Sequence, residues 1–158
     1  MRVSTRGQYG LRAMLELALH YAEGPMTLRR VAARQAISES YLEQLLGTLR
    51  RAGLVVSVRG VQGGYRLARP PEEIRVGEII RAVEGPIAPT ECVVEGGEPE
   101  CWRAPHCVSR LLWEKLRDSM LAVLDSTTLA DLCAEAEVMT AGARAGVFPH
   151  GGRTTSEG

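Results

Sequence analysis

Residues 27–53 read TLRRVAARQAISESYLEQLLGTLRRAG and contain two helix starts separated by eleven positions. Thr27 and Ser38 are hydroxyl residues of the kind that caps helix N-termini, and each precedes an apolar pattern with helical period. The pattern predicts helices over 28–35 and 39–52, with Ala36 and Ile37 as the turn and Gly53 as the stop. Two helices joined by so tight a turn indicate a helix-turn-helix.

The flanking sequence adds a helix before this unit and a hairpin after it. A first helix is expected from Ser4 or Thr5 to Ala22, where Gly24 and Pro25 end it. Short strands are expected over 54–58 and 64–68, around a glycine-rich tip at 59–63. A further short helix is predicted over 76–83. The predicted fold class is therefore mostly α with a small β-wing, a winged helix-turn-helix.

The second half of the chain predicts a loop followed by a long helix. Residues 85–107 are rich in proline, glycine and acidic side chains, which is typical of irregular structure. A long helix is expected over 108–124 and a short one over 128–136. The long helix carries one apolar stripe, which consists of Val108, Leu111, Leu112, Leu116, Met120, Val123 and Leu124.

The formal charge is zero, but the two halves differ in sign. Residues 1–69 hold eleven arginines and four acidic residues, a net charge of +7, and residues 70–158 carry −7. A basic half joined to an acidic half favours a polyanionic partner for the first half, although solvated surface charge is the plain alternative. No apolar run is long enough to cross a membrane and no signal peptide is recognisable, so a cytoplasmic location is expected.

In a helix-turn-helix the N-terminal turn of the second helix points at base edges in the major groove. Gln44 can pair with adenine, and Glu43 can accept from cytosine or exclude unsuitable bases. Arg50 and Arg51 are expected on phosphates, and Arg59 at the hairpin tip is expected in a minor groove. The alternative is a three-helix core with a solvated polar face. The candidates to read sequence are Ser38, Glu39, Ser40, Tyr41, Glu43 and Gln44.

Three cysteines lie in the proline-rich loop. Cys92, Cys101 and Cys107 have eight and five residues between them, which is not the spacing of a zinc knuckle or of common ferredoxins. Thiolates favour iron–sulfur clusters, zinc and copper(I), and a bound cluster would order so long a loop. A fourth ligand is needed, for which His106 is nearby, while Cys133 is interpreted as a small apolar residue. Three reduced thiols on a mobile loop are the alternative.

These residues resemble a known family, the IscR-like iron–sulfur cluster regulators, which includes NsrR and the cluster-free CymR. The matching segments are 1–9, 37–45, 53–60, 63–65, 76–80 and 112–113. The resemblance implies a homodimer in which the long helices pair, and a roughly palindromic DNA operator. It places DNA contacts on Ser40, Tyr41, Glu43, Gln44 and Arg59, and the cluster on the three loop cysteines.

The chain departs from that family at the expected fourth ligand. Cys92 and Cys101 are further apart than in IscR. Arg110 stands where IscR has a ligating histidine, and Gln8 stands where NsrR supplies a carboxylate. The fourth ligand therefore stays open. A [2Fe–2S] cluster is preferred and [4Fe–4S] is the second choice.

The sequence thus predicts an iron–sulfur-sensing, DNA-binding repressor of cluster assembly or of a related redox or stress regulon. A cluster-free or zinc-binding, thiol-sensing repressor of the same fold is the alternative. An enzyme is not expected, because no Cys-x-x-Cys dithiol, phosphate loop or catalytic constellation is present. The expected parts are a DNA-binding domain (1–84), a cluster loop (85–107), a dimerisation helix with a short C-terminal helix (108–136) and a disordered tail (137–158).

Overall fold

The computed structural model describes residues 2–144 and shows six helices and a two-stranded antiparallel sheet within them. Short 3-10 turns at Tyr21–Glu23, Pro71–Glu73, Glu91–Val93 and Ala104–His106 lie in the connections. None of the helices in this described part is long and apolar enough to cross a membrane. The main elements are α1 (Thr5–Leu19), α2 (Leu28–Gln35), α3 (Glu39–Arg51), β1 (Val55–Val58), β2 (Gly64–Leu67), α4 (Val76–Glu84), α5 (Val108–Ser126) and α6 (Leu129–Arg144).

The predicted helix-turn-helix is confirmed together with its two caps. The Thr27 hydroxyl accepts the backbone N–H of Arg30, and the Ser38 hydroxyl accepts that of Tyr41. Each bond satisfies one of the donors that a helix leaves unpaired at its start. Between the helices Ala36 has a φ of 53°, the left-handed conformation that ends α2 abruptly. This turn connects α2 directly to α3.

The wing has an additional backbone pairing, at Met26, that the sequence pattern does not predict. Strands β1 and β2 pair from Val55↔Leu67 to Val58↔Gly64. Met26 then adds an isolated bridge to Tyr65, with N–H to carbonyl distances of 2.8 and 2.7 Å. At Gly64 φ is 148°, and a side chain there would overlap the Met26 carbonyl. Glycine therefore lets the wing approach the chain segment that leads into α2.

One aliphatic core joins α1, α2, α3, the wing and α4. Leu42, Leu45, Leu46 and Leu49 form the buried face of α3, opposite its polar face. Behind the core, Val76 N–H donates to Thr127 and Leu129 N–H to Ile74, which ties the start of α4 to the α5–α6 junction. The core includes Ala13, Met14, Leu17, Met26, Val31, Leu54, Val55, Leu67, Ile74, Ile79, Val83 and Leu129.

Two helix ends differ from the sequence prediction by three residues or more. Helix α1 stops at Leu19 instead of Ala22, because His20 leaves the helical conformation and its Nδ1 bonds to the Glu16 carbonyl at 3.0 Å. Helix α6 continues to Arg144, so the prediction of a disordered tail from residue 137 is wrong over 137–144. That segment is dominated by strong helix formers, alanine above all. The predicted disorder of 145–158 lies outside the described residues.

Candidate nucleic-acid interface and cysteine loop

Helix α3 presents a polar face directly opposite its buried leucines. Residues four and seven positions after Gln44 share its direction on a helix, so Thr48 and Arg51 continue the line that Ser40 and Gln44 begin. Ser40, Glu43 and Gln44 are exposed, as a base-reading surface requires. Glu43 lies at the edge of this face, where a carboxylate can accept from a base or repel a phosphate.

Two of the predicted base readers also have structural roles. The Ser38 hydroxyl caps α3. The Tyr41 ring is half-buried and meets Tyr9 of α1 edge to face, with centroids 6.0 Å apart and planes at 83°. The Arg12 guanidinium lies 5.1 Å from the Tyr9 centroid. Tyr41 therefore fixes α3 against α1 as well as lying beside the predicted reading surface.

Arginines border the polar face of α3 and occupy the wing tip. Arg50 donates to the Ser57 hydroxyl at 3.3 Å and so links the end of α3 to β1. Arg51 donates to Thr48 at 3.1 Å. Arg59 is exposed at the tip and has no hydrogen bond or ion pair with another residue of 2–144. Arg59 can thus bind a polyanion without breaking an interaction inside the protein.

A buried carboxylate that sequence reasoning missed locks α2 onto α1. Glu16 is 5% exposed and accepts from Arg34 and from Gln35 Nε2, the latter at 2.8 Å. Arg12 donates to the side chain and the carbonyl of Gln35, both at 3.0 Å. A buried charge needs such partners. The available signal was an acidic residue on the apolar face of the first helix.

The start of the cysteine loop is fastened to α5 through backbone carbonyls. Arg110 Nε donates to the Cys92 carbonyl at 3.3 Å, and Arg117 Nη1 donates to the Val93 carbonyl at 2.9 Å. Val93 itself is buried. Arg110, the residue at the position of the family's histidine ligand, thus holds the loop by its backbone and pairs with Glu114 at 3.3 Å.

The structure does not bring the three loop thiols together. Within residues 2–144 no three His, Cys, Asp or Glu side chains are close enough to share a metal ion. The Cys92 sulfur lies 3.3 Å from the Thr90 hydroxyl, Cys101 is exposed, and His106 is exposed beside Cys107. Three accessible sulfur donors on one loop nevertheless have the ligand chemistry that an iron–sulfur cluster requires.

One thiol of the loop is tuned toward its ionised form. A hydrogen bond from the Ser109 hydroxyl, 3.1 Å from the sulfur, lowers the pKa of Cys107, and the Arg110 N–H and the charge of Arg103 act in the same direction. Cys133 behaves oppositely, because burial raises the pKa of its thiol. It packs against the main core, in agreement with its interpretation as an apolar residue.

Ion pairs connect α5 to α4 and α4 to the wing. Arg81 of α4 holds Asp125 of α5 through two hydrogen bonds, of 2.6 and 2.7 Å, which lower the pKa of Asp125. Glu78 accepts from Arg69, just after β2, at 2.7 Å, and from the Arg75 N–H at 2.9 Å. Burial alone would raise the pKa of Glu78, but these two hydrogen bonds and the charges of Arg69 and Arg75 together lower it.

Comparison with known proteins identifies close relatives along most of the chain. It is 50% identical to the regulator CymR of Bacillus subtilis over 132 residues, covering 84% of this chain and 89% of CymR. The solved CymR structure, described as the global cysteine regulator of B. subtilis, matches with a TM-score of 0.72 at 48% identity, covering 85% of this chain and 98% of CymR.

Two IscR proteins are almost as similar. The regulator IscR of Aliivibrio salmonicida is 44% identical over 138 residues, covering 87% of this chain and 80% of that protein. The solved structure of T. potens IscR matches with a TM-score of 0.73 at 47% identity, covering 88% of this chain and 90% of that chain.

The family comparison agrees with the fold and with the named relatives. These relatives are helix-turn-helix transcriptional regulators, so the predicted class, a DNA-binding regulator and not an enzyme, is confirmed. The model of the Rrf2 family, described as iron-dependent transcriptional regulators, matches residues 3–135. With its winged helix, its polar recognition face and these relatives, the chain belongs to the Rrf2 family of transcriptional regulators.

Proposed function

We propose that this regulator binds operator DNA with an affinity set by an iron–sulfur cluster on Cys92, Cys101 and Cys107. The observation that carries the proposal is the attachment of all three thiols to one loop whose start is fastened to α5 by Arg110 and Arg117. A ligand that brings the three thiols together would change the conformation of the loop and so act on its hydrogen bonds with Arg110 and Arg117. The state of the loop is thereby linked to the position of α5.

The donor chemistry favours a [2Fe–2S] cluster first and [4Fe–4S] second. Thiolates are the usual ligands of both, and the lowered pKa of Cys107 favours its thiolate form. The bound cluster would supply sensitivity to oxygen, nitric oxide or iron supply. Arg110 cannot ligate and Gln8 is a poor ligand whose amide donates to the Val3 carbonyl, so a fourth ligand would come from His106 or from a partner subunit.

We propose a homodimer built on α5, as the resemblance implies. Of its apolar stripe, Val108 is 79% exposed, and Leu111, Leu112 and Val123 are also exposed. A helix with so much apolar surface in water indicates a covered face in the assembled protein. A two-fold axis beside α5 would present two α3 helices to a roughly palindromic operator.

On each half-site, α3 would read bases from the major groove and the wing would reach a minor groove. The proposed base contacts are Ser38, Ser40, Tyr41, Glu43 and Gln44. Arg50 and Arg51 would hold phosphates. Arg59 at the exposed wing tip would enter the minor groove, where the negative potential is strongest. Such a protein acts as a cytoplasmic repressor, and cluster assembly or a related redox or stress regulon is the proposed target.

A path of one hydrogen bond and two ion pairs supports communication between the loop and the wing. From the loop, Arg117 leads to α5, where Asp125 binds Arg81 of α4. From α4, Glu78 binds Arg69 beside β2. A shift of α5 would therefore move α4 and the base of the wing. Cluster binding changes DNA affinity to the extent that the cluster prefers one of these arrangements.

The second candidate is a thiol-sensing repressor that holds zinc or no metal. The similarity to CymR, described as a cysteine regulator, favours it. Under this alternative the loop cysteines would be oxidised or modified instead of holding a cluster, and Cys107, with its lowered pKa, would react first. The DNA-binding half would work in the same way under both candidates.

Anaerobic purification separates the two candidates. The wild type is expected to carry iron, sulfide and visible absorbance. Cys92→Ala is expected to lose all three, whereas the control Cys133→Ala, which removes a thiol outside the loop, is expected to retain them. Iron-free wild type after anaerobic reconstitution would exclude the cluster, and stoichiometric zinc in its place would establish the second candidate.

A further inference from the structure

We propose a phosphate-binding site formed jointly by Arg6 of α1 and Arg51 of α3, outside the base-reading turn. Arg6 Nη2 donates to the Thr48 hydroxyl at 3.0 Å, and Arg51 Nη2 donates to the same oxygen at 3.1 Å. Two guanidinium groups from different helices thus meet at one atom. Their ligand would be a non-bridging oxygen of the DNA backbone, and the inference rests on the proposed DNA-binding surface.

The Thr48 hydroxyl can accept both arginines because its own proton is already committed. It donates to the Gln44 carbonyl at 3.1 Å, which leaves its lone pairs directed toward the two cations. Each guanidinium has five N–H donors and uses one of them to bond Thr48. The remaining donors of both groups can bind one anion in the planar, paired geometry that suits phosphate.

The positive charge of Arg6 and Arg51 is not compensated by an ion pair within the described part of the chain. Neither Arg6 nor Arg51 forms an ion pair with an acidic side chain of residues 2–144, whereas Arg30, Arg34, Arg69 and Arg81 each do. Holding two like charges near one hydroxyl costs electrostatic energy in the free protein. A phosphate between the two guanidinium groups would attract both and so offset their mutual repulsion. Two surface arginines that are solvated separately have no such repulsion to offset.

The arginine pair also lies on the side of α3 from which DNA would approach. Thr48 and Arg51 continue the line of Ser40 and Gln44 on the face of α3 opposite its buried leucines. Between them, Gly47 has no side chain, and Arg51 Nη1 would lie 3.7 Å from a Cβ placed there. The Arg51 side chain therefore folds back over Gly47 toward the base-reading turn. A duplex seated on that turn would bring its flanking phosphate to Arg6 and Arg51.

The salt dependence of DNA affinity tests this assignment. Full-length wild type, Arg6→Gln, Arg6→Lys, Thr48→Val and the charge-matched control Arg144→Gln would be titrated against two fluorescent duplexes. One is an operator selected by the wild type from a random library, and the other is a mixed-sequence duplex of equal length. Circular dichroism would first establish that each variant is folded.

Arg6→Gln is expected to weaken both duplexes by a similar factor of several-fold. It should lower the slope of log K against log salt by about 0.9 for each phosphate that is no longer neutralised. Arg6→Lys should keep the slope but lose affinity, because the charge remains without the planar fork. Thr48→Val should also keep the slope, since both charges remain. Arg144→Gln should change neither quantity.

Three results would overturn the site. One is an unchanged slope and affinity for Arg6→Gln. Another is an equal loss for Arg144→Gln, which would make the effect one of net charge. The third is a loss restricted to the selected operator, which would make Arg6 a sequence reader. A wild type that binds neither duplex would instead overturn the proposed function itself, together with the site.

Discussion

The DNA-binding half and the cysteine loop are stabilised in opposite ways. The first packs four helices and a wing around a continuous aliphatic core, so its polar face is shaped before any DNA arrives. The loop over 85–107 buries just Ile87, Val93 and Ala104, and arginines of α5 hold its start by backbone carbonyls. The contrast indicates a rigid DNA-binding half joined to a loop, residues 85–107, that can rearrange when it binds a ligand.

The largest expected effect comes from removing core volume on the rigid side. Leu46→Ala should lower the free energy of unfolding by about 2–5 kcal/mol, because Leu46 is fully buried in the main core. Val93→Ala deletes two buried methyl groups from the loop and should lower it by about 2 kcal/mol or less. Urea unfolding followed by circular dichroism measures both. Equal losses would show that the loop and the core are one cooperative structure.

The wing should depend on the close approach at Gly64. Gly64→Ala would combine a strained backbone with an overlap against the Met26 carbonyl, at a cost of about 1–3 kcal/mol or more. Gly60→Ala is the matched control, since its φ of 114° is also positive but open space surrounds it. We expect Gly64→Ala to destabilise more and to weaken DNA binding more. A larger effect from Gly60→Ala would contradict the role given to the Met26–Tyr65 bridge.

The ion pair between α4 and α5 predicts a change in acid stability. The pKa of Asp125 is lowered by Arg81, so its stabilisation is complete above the unfolded value of about 3.9 and disappears as pH falls through the folded pKa. Because Asp125 is 42% exposed, the effect should be about 0.5–1 kcal/mol. Asp125→Asn should remove it near neutral pH and flatten the profile below pH 4.

The control for this pair is Asp118→Asn, which removes an exposed carboxylate from the same helix. Thermal unfolding between pH 3 and pH 7 would compare the two variants with the wild type. If both variants changed the acid profile equally, general charge and not the contact with Arg81 would be responsible.

The smallest expected effect concerns one thiol of the loop. Ser109→Ala removes the hydrogen bond that lowers the pKa of Cys107, so this pKa should rise toward its ordinary value. Alkylation of Cys107 in metal-free protein should then become slower at neutral pH, with no change in unfolding. Mass spectrometry can follow Cys133 in the same sample as an internal reference. An unchanged alkylation rate at Cys107 would contradict the claim that the Ser109 hydroxyl lowers its pKa.

Local sequence signals make the structure of the DNA-binding half predictable, whereas pairings between residues far apart in the chain leave little trace in the sequence. Thr27, Ser38 and the leucine spacing of α3 act within a few residues, and each predicts its element correctly. The Met26–Tyr65 bridge involves a single residue on one side and leaves no periodic signal. The prediction underestimates the length of α6, because the stretch from Thr140 to Gly158 as a whole is rich in glycine and polar residues and hides the helix formers of 137–144.

Within the candidate site, the same distinction separates what the sequence predicts from what it does not. The three loop cysteines stand out by residue type alone. The contacts of Arg110, Arg117 and Arg6 join positions far apart in sequence, and an arginine by itself does not reveal its partner. Glu16 interrupts an apolar run in the sequence, and only its burial identifies it as a tie between α1 and α2.

DNA affinity measured anaerobically on one protein preparation, before and after removal of its iron, tests the central claim most directly. The account predicts that wild type changes its affinity for a selected operator when the metal is removed, and that Cys92→Ala has a single affinity in both conditions. Identical affinities for the iron-loaded and iron-free wild type would contradict the claim that the cysteine loop controls DNA binding.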